Sequence, residues 1–331
     1  MAFTVNGAFA EFLRGRVNLD SGDTVTARAG QSWLFGQIAG FQTDAIFPKP
    51  YAEYDISFGS FARHTKTRPL DDIDVMSCLS AQGATYEAYS DRIDITVEPG
   101  TNLAALCFDY THRLNSIKVI NKFLRKLEGV PQYSSAGLKR NGAAAVLSLK
   151  SYDWCFDIVP CFMMSPEFDG RTYYLIPNGN GDWKKTDPRI DRDRVRRINK
   201  LHDGHVLDVI RIIKYWNKRP TMPSMSAYLI EAVILKYYES QLTTASQYVD
   251  VEIPRILDHI SSAIYGPVLD PKNIQGDINS LTWEDRSKIG ERAGLDQEKA
   301  LDARRLESND DQKGSINKWR EIFGGDFPIY G

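Results

Sequence analysis

Phe58-Gly59-Ser60-Phe61-Ala62-Arg63-His64-Thr65, followed a few residues on by Asp71-Asp72-Ile73-Asp74-Val75-Met76, carries more chemical information than any other stretch of this 331-residue chain. Residues 52–58 read as a short strand ending at Gly59-Ser60, and residues 73–79 as a second strand. A Gly-Ser pair at a strand end lets backbone approach a phosphate closely. Glycine has no Cβ in the way, and the serine hydroxyl and nearby N–H groups can donate. Taken alone, such a pair is most simply an ordinary turn. On a strand, residues two apart project to the same side, so Asp72 and Asp74 aim into one place. Two carboxylates that close repel unless a cation lies between them, and magnesium prefers such oxygen ligands. Taken alone, D-x-D is explained more simply by a solvated strand end.

Asp157 shifts the balance. It interrupts the apolar run Trp154-Cys155-Phe156-Asp157-Ile158-Val159-Pro160, where a carboxylate is costly unless paired or metal-bound. A salt bridge to a buried arginine is the other account of it. Gly-Ser, a D-x-D strand and a third aspartate on a later apolar strand together predict Asp72, Asp74 and Asp157 as a catalytic, metal-holding set.

Working outward, helical periodicity covers residues 6–17, 24–46 and 103–127, with strands at 92–97, 144–149 and 152–162. After the turn-rich Asn178-Gly179-Asn180-Gly181 the pattern is mostly helical, clearest at 205–217, 226–239 and 251–264. The expected class is α+β, with a mixed α/β part over 1–170 and a helical part over 171–331. A hydrophobic share of 42% and a charged share of 25% suit a globular protein, and a net charge of −2 gives no global attraction to nucleic acid. The four cysteines (Cys78, Cys107, Cys155, Cys161) form no C-x-x-C pair, which argues against a zinc ribbon or disulfide framework. No signal-like or membrane-spanning apolar run occurs, so a cytoplasmic protein without membrane partners is expected.

The pattern of Gly-Ser, D-x-D and a third aspartate resembles the DNA polymerase β-like nucleotidyltransferase superfamily. Within it, residues 59–76 (GSFARHTKTRPLDDIDVM) and Phe156-Asp157-Ile158-Val159-Pro160 are similar to the CD-NTase family. These are the cGAS/DncV-like bacterial enzymes that make cyclic oligonucleotide signals in anti-phage defence. Ile176-Pro177, Gly181-Asp182-Trp183, Thr186-Asp187-Pro188 and the helix bearing Lys214, Trp216 and Asn217 agree.

The resemblance implies a bilobed fold whose helical lobe closes over a nucleotide cleft, and an enzyme using two Mg²⁺ ions per site, with Mn²⁺ as an alternative. Ser60, beside Gly59, would bind the triphosphate. Asp72 and Asp74 would coordinate both ions, and Asp157 the one nearest the attacking hydroxyl. Lys214 would contact the donor triphosphate and Tyr228 would stack on a base. The family's serine directly before that aromatic is replaced here by Ala227, with Ser226 one earlier. The product would be a cyclic dinucleotide or trinucleotide made from nucleoside triphosphates. Transfer to RNA or a small-molecule acceptor, and a non-catalytic nucleotide-binding regulator, are the alternatives. The zinc insertion of the animal DNA sensor has no counterpart, so double-stranded DNA is not an expected partner. Defence-system partner proteins are implied, including conjugation at Gly331, for which a frayed tail is an equal reading.

Other features have plainer readings. The basic run 189–200, mixed with Asp187, Asp191 and Asp193, predicts a salt-bridged helix start rather than a nucleic-acid patch. His202 and His205 are expected as helix-start surface residues rather than metal ligands. Trp183 reads equally as a base cover and as a packing anchor.

Overall fold

The computed structural model describes residues 2–331, which divide into two compact units. One comprises residues 21–62 and 70–189, the other 2–20, 63–69 and 190–331. This differs from a single cut near residue 170. The N-terminal helix and the segment 63–69 belong with the C-terminal helices, because Phe9 and Phe12 pack edge-on against Trp319, Tyr215 and Phe327.

The first unit is built on a nine-stranded mixed sheet. Its strands are β1 (Ile56–Ser57), β2 (Asp72–Cys78), β3 (Thr85–Ala88), β4 (Ile93–Thr96), β5 (Gly137–Asn141), β6 (Ala144–Ser148), β7 (Cys155–Met163), β8 (Tyr174–Pro177) and β9 (Trp183–Thr186). They lie in the order β1-β2-β7-β8-β9-β4-β3, with β6 joining β5 to β7. β2 and β7 run parallel and the other pairings are antiparallel. Of the helices in chain order, α1 is Val5–Phe12 and α2 is Ser21–Gly40. Next come α3 (Gly59–Ala62) and α4 (Ser116–Glu128). Gly30 of α2 lies so close to Phe156 that an added Cβ would sit 3.3 Å from its ring. α2 therefore backs the sheet face that carries Ile73 and Phe156.

The sequence expectations for β2, β4, β6 and β7 hold to within three residues. The helix read over 103–127 is shorter, with only a 3₁₀ turn at Ala104–Leu106 before α4. Asn115 starts α4 by accepting from the N–H groups of Ile117 (2.9 Å) and Lys118 (3.3 Å), and a side-chain cap of this kind fixes a helix start. Residues 52–58 form a 3₁₀ turn before the two-residue β1. Strands β3 and β5 lack a buried face and so show no apolar alternation to read.

The second unit holds α1, its π-helical continuation Leu13–Val17, and α5 (Pro188–Leu201) from residue 190 on. To these are added α6 (Val206–Asn217), α7 (Ala227–Glu239), α8 (Val249–Ala263), α9 (Trp283–Ser308) and α10 (Gln312–Phe323). Its core is one apolar cluster that includes Trp216, Tyr238, Trp319 and Phe327. The basic run on α5 is salt-bridged, as read from sequence: Arg194 and Arg197 both bind Glu239. His202 corrects the expectation of a surface histidine. It is buried, its Nε2 lies 3.1 Å from the Tyr238 carbonyl, and its Nδ1 accepts from Ala245 N at 3.0 Å. Those partners fix the neutral Nε2–H tautomer. His205 Nδ1 lies 3.0 Å from the Ala245 carbonyl. Among the described residues, no helix is long and apolar enough to cross a membrane.

Candidate active site

Strand register builds the site. In the parallel pair of β2 and β7, Asp74 lies directly opposite Asp157, and Asp72 opposite Cys155. Residues paired across a ladder share a sheet face, as do residues two apart on one strand. Asp72, Asp74 and Asp157 therefore project from one face, opposite the one α2 covers. Further along the same strands this face turns apolar, with Met76, Cys78, Val159 and Cys161 in one buried cluster. The carboxylates thus occupy the start of both strands and are half-buried.

Gly59 is fixed by the same geometry. β1 pairs with β2 through Ser57 and Val75, and the Phe58 N–H donates to the Asp74 carbonyl at 3.2 Å. This lays Gly59 over Asp74 with a φ of +70°. A Cβ at residue 59 would stand 1.7 Å from Asp74 Oδ2, so only glycine fits, on both steric and backbone grounds. Ser60 follows in the first turn of α3, half-buried.

Cys155 stands beside these carboxylates. Its Sγ lies 3.7 Å from Asp157 Oδ1. Burial pushes its thiol up to about 11, and the charges of Asp157, Asp72 and Asp71 add to the rise. Such a concentration of anionic oxygen is what a hard divalent cation neutralises. Among the described residues, no three or more His, Cys, Asp and Glu side chains are grouped as a metal site. Register and donor chemistry carry the fit, not a finished coordination shell.

The remaining sequence candidates lie in the helical unit. Lys214 is buried, and its ammonium donates to the Glu231 carboxylate, to the Thr65 carbonyl (3.0 Å) and to Thr65 Oγ1 (3.3 Å). Glu231 also binds Arg63 Nε at 2.8 Å and Thr65 Oγ1 at 2.8 Å. Burial pushes the Glu231 carboxyl up, but Arg63 and Lys214 outweigh it and hold it at about 2. The residues just after Gly59-Ser60 in the chain are thereby tied into α6 and α7. Ser226 is the N-cap of α7, its side chain accepting from Leu229 N at 3.2 Å. Tyr228, in the first turn of α7, is half-buried and donates toward Asp191 Oδ1 (2.8 Å) and Asp270 Oδ1 (2.9 Å).

Glu231, Asp270 and Lys272 did not emerge from the sequence. Glu231 had a signal of the kind that singles out Asp157, an acid inside an apolar run (Leu229-Ile230-Glu231-Ala232-Val233). Trp183 is the packing anchor of its two readings, fully buried with Nε1 donating to the Leu114 carbonyl at 3.1 Å. At the chain end, Tyr330 bridges to Ala2, and Gly331 N donates to the Ala2 carbonyl at 3.3 Å.

A mixed sheet that carries a D-x-D strand beside a third aspartate, with a Gly-Ser turn folded over it, defines a nucleotidyltransferase core. The comparisons agree. No family model matches the chain. It is 40% identical over 332 residues to a probable cyclic nucleotide synthase of Bacillus cereus (strain VD146), covering 100% of this chain and 99% of that one. CdnC of E. coli MS115-1, solved with ATP, superposes with a TM-score of 0.70 at 17% identity over 97% of this chain and 98% of that one. That protein has also been solved in a complex with HORMA-deltaN. Vibrio cholerae DncV, a cyclic AMP-GMP synthase, superposes at 0.67 with 13% identity over 99% and 98%. The chain belongs to the CD-NTase family of nucleotidyltransferases.

Proposed function

We propose that this chain joins nucleoside triphosphates into a cyclic dinucleotide or trinucleotide, with Asp72, Asp74 and Asp157 holding two magnesium or manganese ions. The observation that carries this is the register of β2 and β7, which sets Asp74 beside Asp157 with Asp72 on the same face. When bound, such ions lower the pKa of the attacking hydroxyl and neutralise charge on the departing phosphates. A ribose hydroxyl oxygen bonds to the α-phosphorus of a second nucleotide, the bond to pyrophosphate breaks, and the Asp157 carboxylate takes the hydroxyl proton. The bare Gly59 backbone gives the triphosphate room, and the Ser60 hydroxyl donates to it. The resemblance gives Lys214 and Tyr228 the triphosphate and base contacts, with Ser226 at the start of the same helix as Tyr228, and Lys214 reaches a phosphate only by giving up one of its bonds to Glu231 and Thr65. A second round of the reaction closes a dinucleotide ring, and a third closes a trinucleotide ring.

The family's role in anti-phage defence is the biological setting proposed, and the relative solved with a HORMA partner supports a protein partner of that class. The test is incubation with the four ribonucleoside triphosphates and Mg²⁺ or Mn²⁺, then phosphatase digestion and mass spectrometry. A phosphatase-resistant product is expected. Only linear, phosphatase-sensitive chains, or product that forms only with an added RNA or small-molecule acceptor, overturn the reading.

A further inference from the structure

Tyr228 is held by more machinery than a packing residue needs. Its hydroxyl faces two carboxylates, Asp191 from α5 and Asp270 from the loop after α8. A phenol has one proton and can donate to one of them at a time. The second carboxylate is matched by Lys272, whose Nζ lies 3.0 Å from Asp270 Oδ1 and 3.3 Å from Asp191 Oδ2. The same ammonium donates to the Tyr228 hydroxyl and stands 4.1 Å from the ring centroid. Lys272 and Asp270 are each only 4% exposed.

The loop that supplies them is locked by its own aspartate. Asp270 accepts from the N–H groups of Lys272 (3.1 Å), Ile274 (3.3 Å) and Gln275 (3.1 Å), and its own N–H donates to the Gly276 carbonyl at 2.7 Å. Three charged groups are thus drawn out of water around one half-buried phenol. Unless every partner is met, burying them is costly.

We infer that Lys272, Asp270 and Asp191 are positioning residues that set Tyr228 as a rigid aromatic platform for a nucleotide base. The inference deepens the proposed function, since it rests on the base-stacking role given there to Tyr228. Lys272 and both carboxylates hold the ring by its hydroxyl end, away from the faces on which a base stacks. Fixing the ring before the nucleotide arrives removes the entropy cost of ordering it on binding, a cost of about 0.5–1.5 kcal/mol per immobilised side chain. That converts to roughly a two- to tenfold gain in affinity. The competing account is that the cluster only staples the 270–276 loop to α5 and α7.

The test is calorimetric titration of the full chain with a non-hydrolysable ATP analogue, with a melting curve for each variant. Lys272→Met is expected to weaken analogue binding roughly two- to tenfold, and Lys272→Arg, which keeps a cationic donor at the Tyr228 hydroxyl and the two carboxylates, to restore it to within about twofold. A folded Lys272→Met protein that melts earlier but binds as tightly as the unaltered chain overturns the inference and leaves the staple. Should Lys272→Met not fold, Tyr228→Phe carries the test, because it keeps the ring and deletes only the hydroxyl that anchors it. Unchanged binding in that variant overturns the inference as well. Failure of the synthase reading is separately visible, as analogue binding without any phosphatase-resistant product from the unaltered chain.

Discussion

Replacing Gly59 by alanine perturbs the site by a distance the structure gives directly. The new methyl would stand 1.7 Å from Asp74 Oδ2 and 2.6 Å from its Cγ. Ordinary contact begins near 3.4 Å, so the oxygen must retreat by about 1.7 Å, or the turn must open by as much. The φ of +70° adds about 1–2 kcal/mol of backbone strain for any residue with a Cβ. A misplacement of about 1 Å at a reacting centre costs on the order of a hundredfold in rate. Gly59→Ala is therefore expected to lower kcat/KM for product formation by at least about a hundredfold, while the sheet survives with a melting temperature only a few degrees lower. The assay is initial-rate release of pyrophosphate from nucleoside triphosphates, alongside a thermal melt by circular dichroism. A folded Gly59→Ala protein with activity within about threefold of the unaltered chain would refute the claim that this glycine exists to seat Asp74.

Two further perturbations separate structure from catalysis. Glu231→Gln leaves Arg63 and Lys214 facing a neutral amide inside the helical unit, and breaking a buried pair this way costs about 3 kcal/mol, seen as an earlier thermal transition. The Glu231 carboxyl sits at about 2 when folded against its ordinary 4.5. Its stabilisation is complete above about 4.5 and disappears as pH falls through about 2, so the gap between the two melting curves should hold from neutral pH to about pH 5 and narrow below that. Trp183→Phe leaves the Leu114 carbonyl without its donor and should cost about 1–3 kcal/mol of stability, read by urea denaturation, with activity per folded molecule unchanged.

Much of the site was legible because its residues break local rules. Asp157 sits in a strand that otherwise reads as core, and Gly59 precedes a serine at the end of a strand. Such departures are readable one residue at a time. What the sequence hid depends on partners far away in the chain. The placement of α1 with the C-terminal helices follows from Phe9 and Phe12 meeting Trp319 and Phe327, a match that no local pattern contains. Lys272 looks like any loop lysine until Tyr228 and Asp191 close around it. Strands β3 and β5 are exposed and have no alternating apolar face, so pairing with β4 and β6 alone defines them.

Binding of Mn²⁺ in the presence of a non-hydrolysable ATP analogue, followed by loss of the free-ion electron paramagnetic resonance signal, reaches the three aspartates most directly. Two ions per chain are predicted for the unaltered protein, with binding sharply weakened in Asp74→Asn and Asp157→Asn while their melting curves stay cooperative. Full Mn²⁺ uptake by both folded variants, or none by the unaltered chain, would contradict the account.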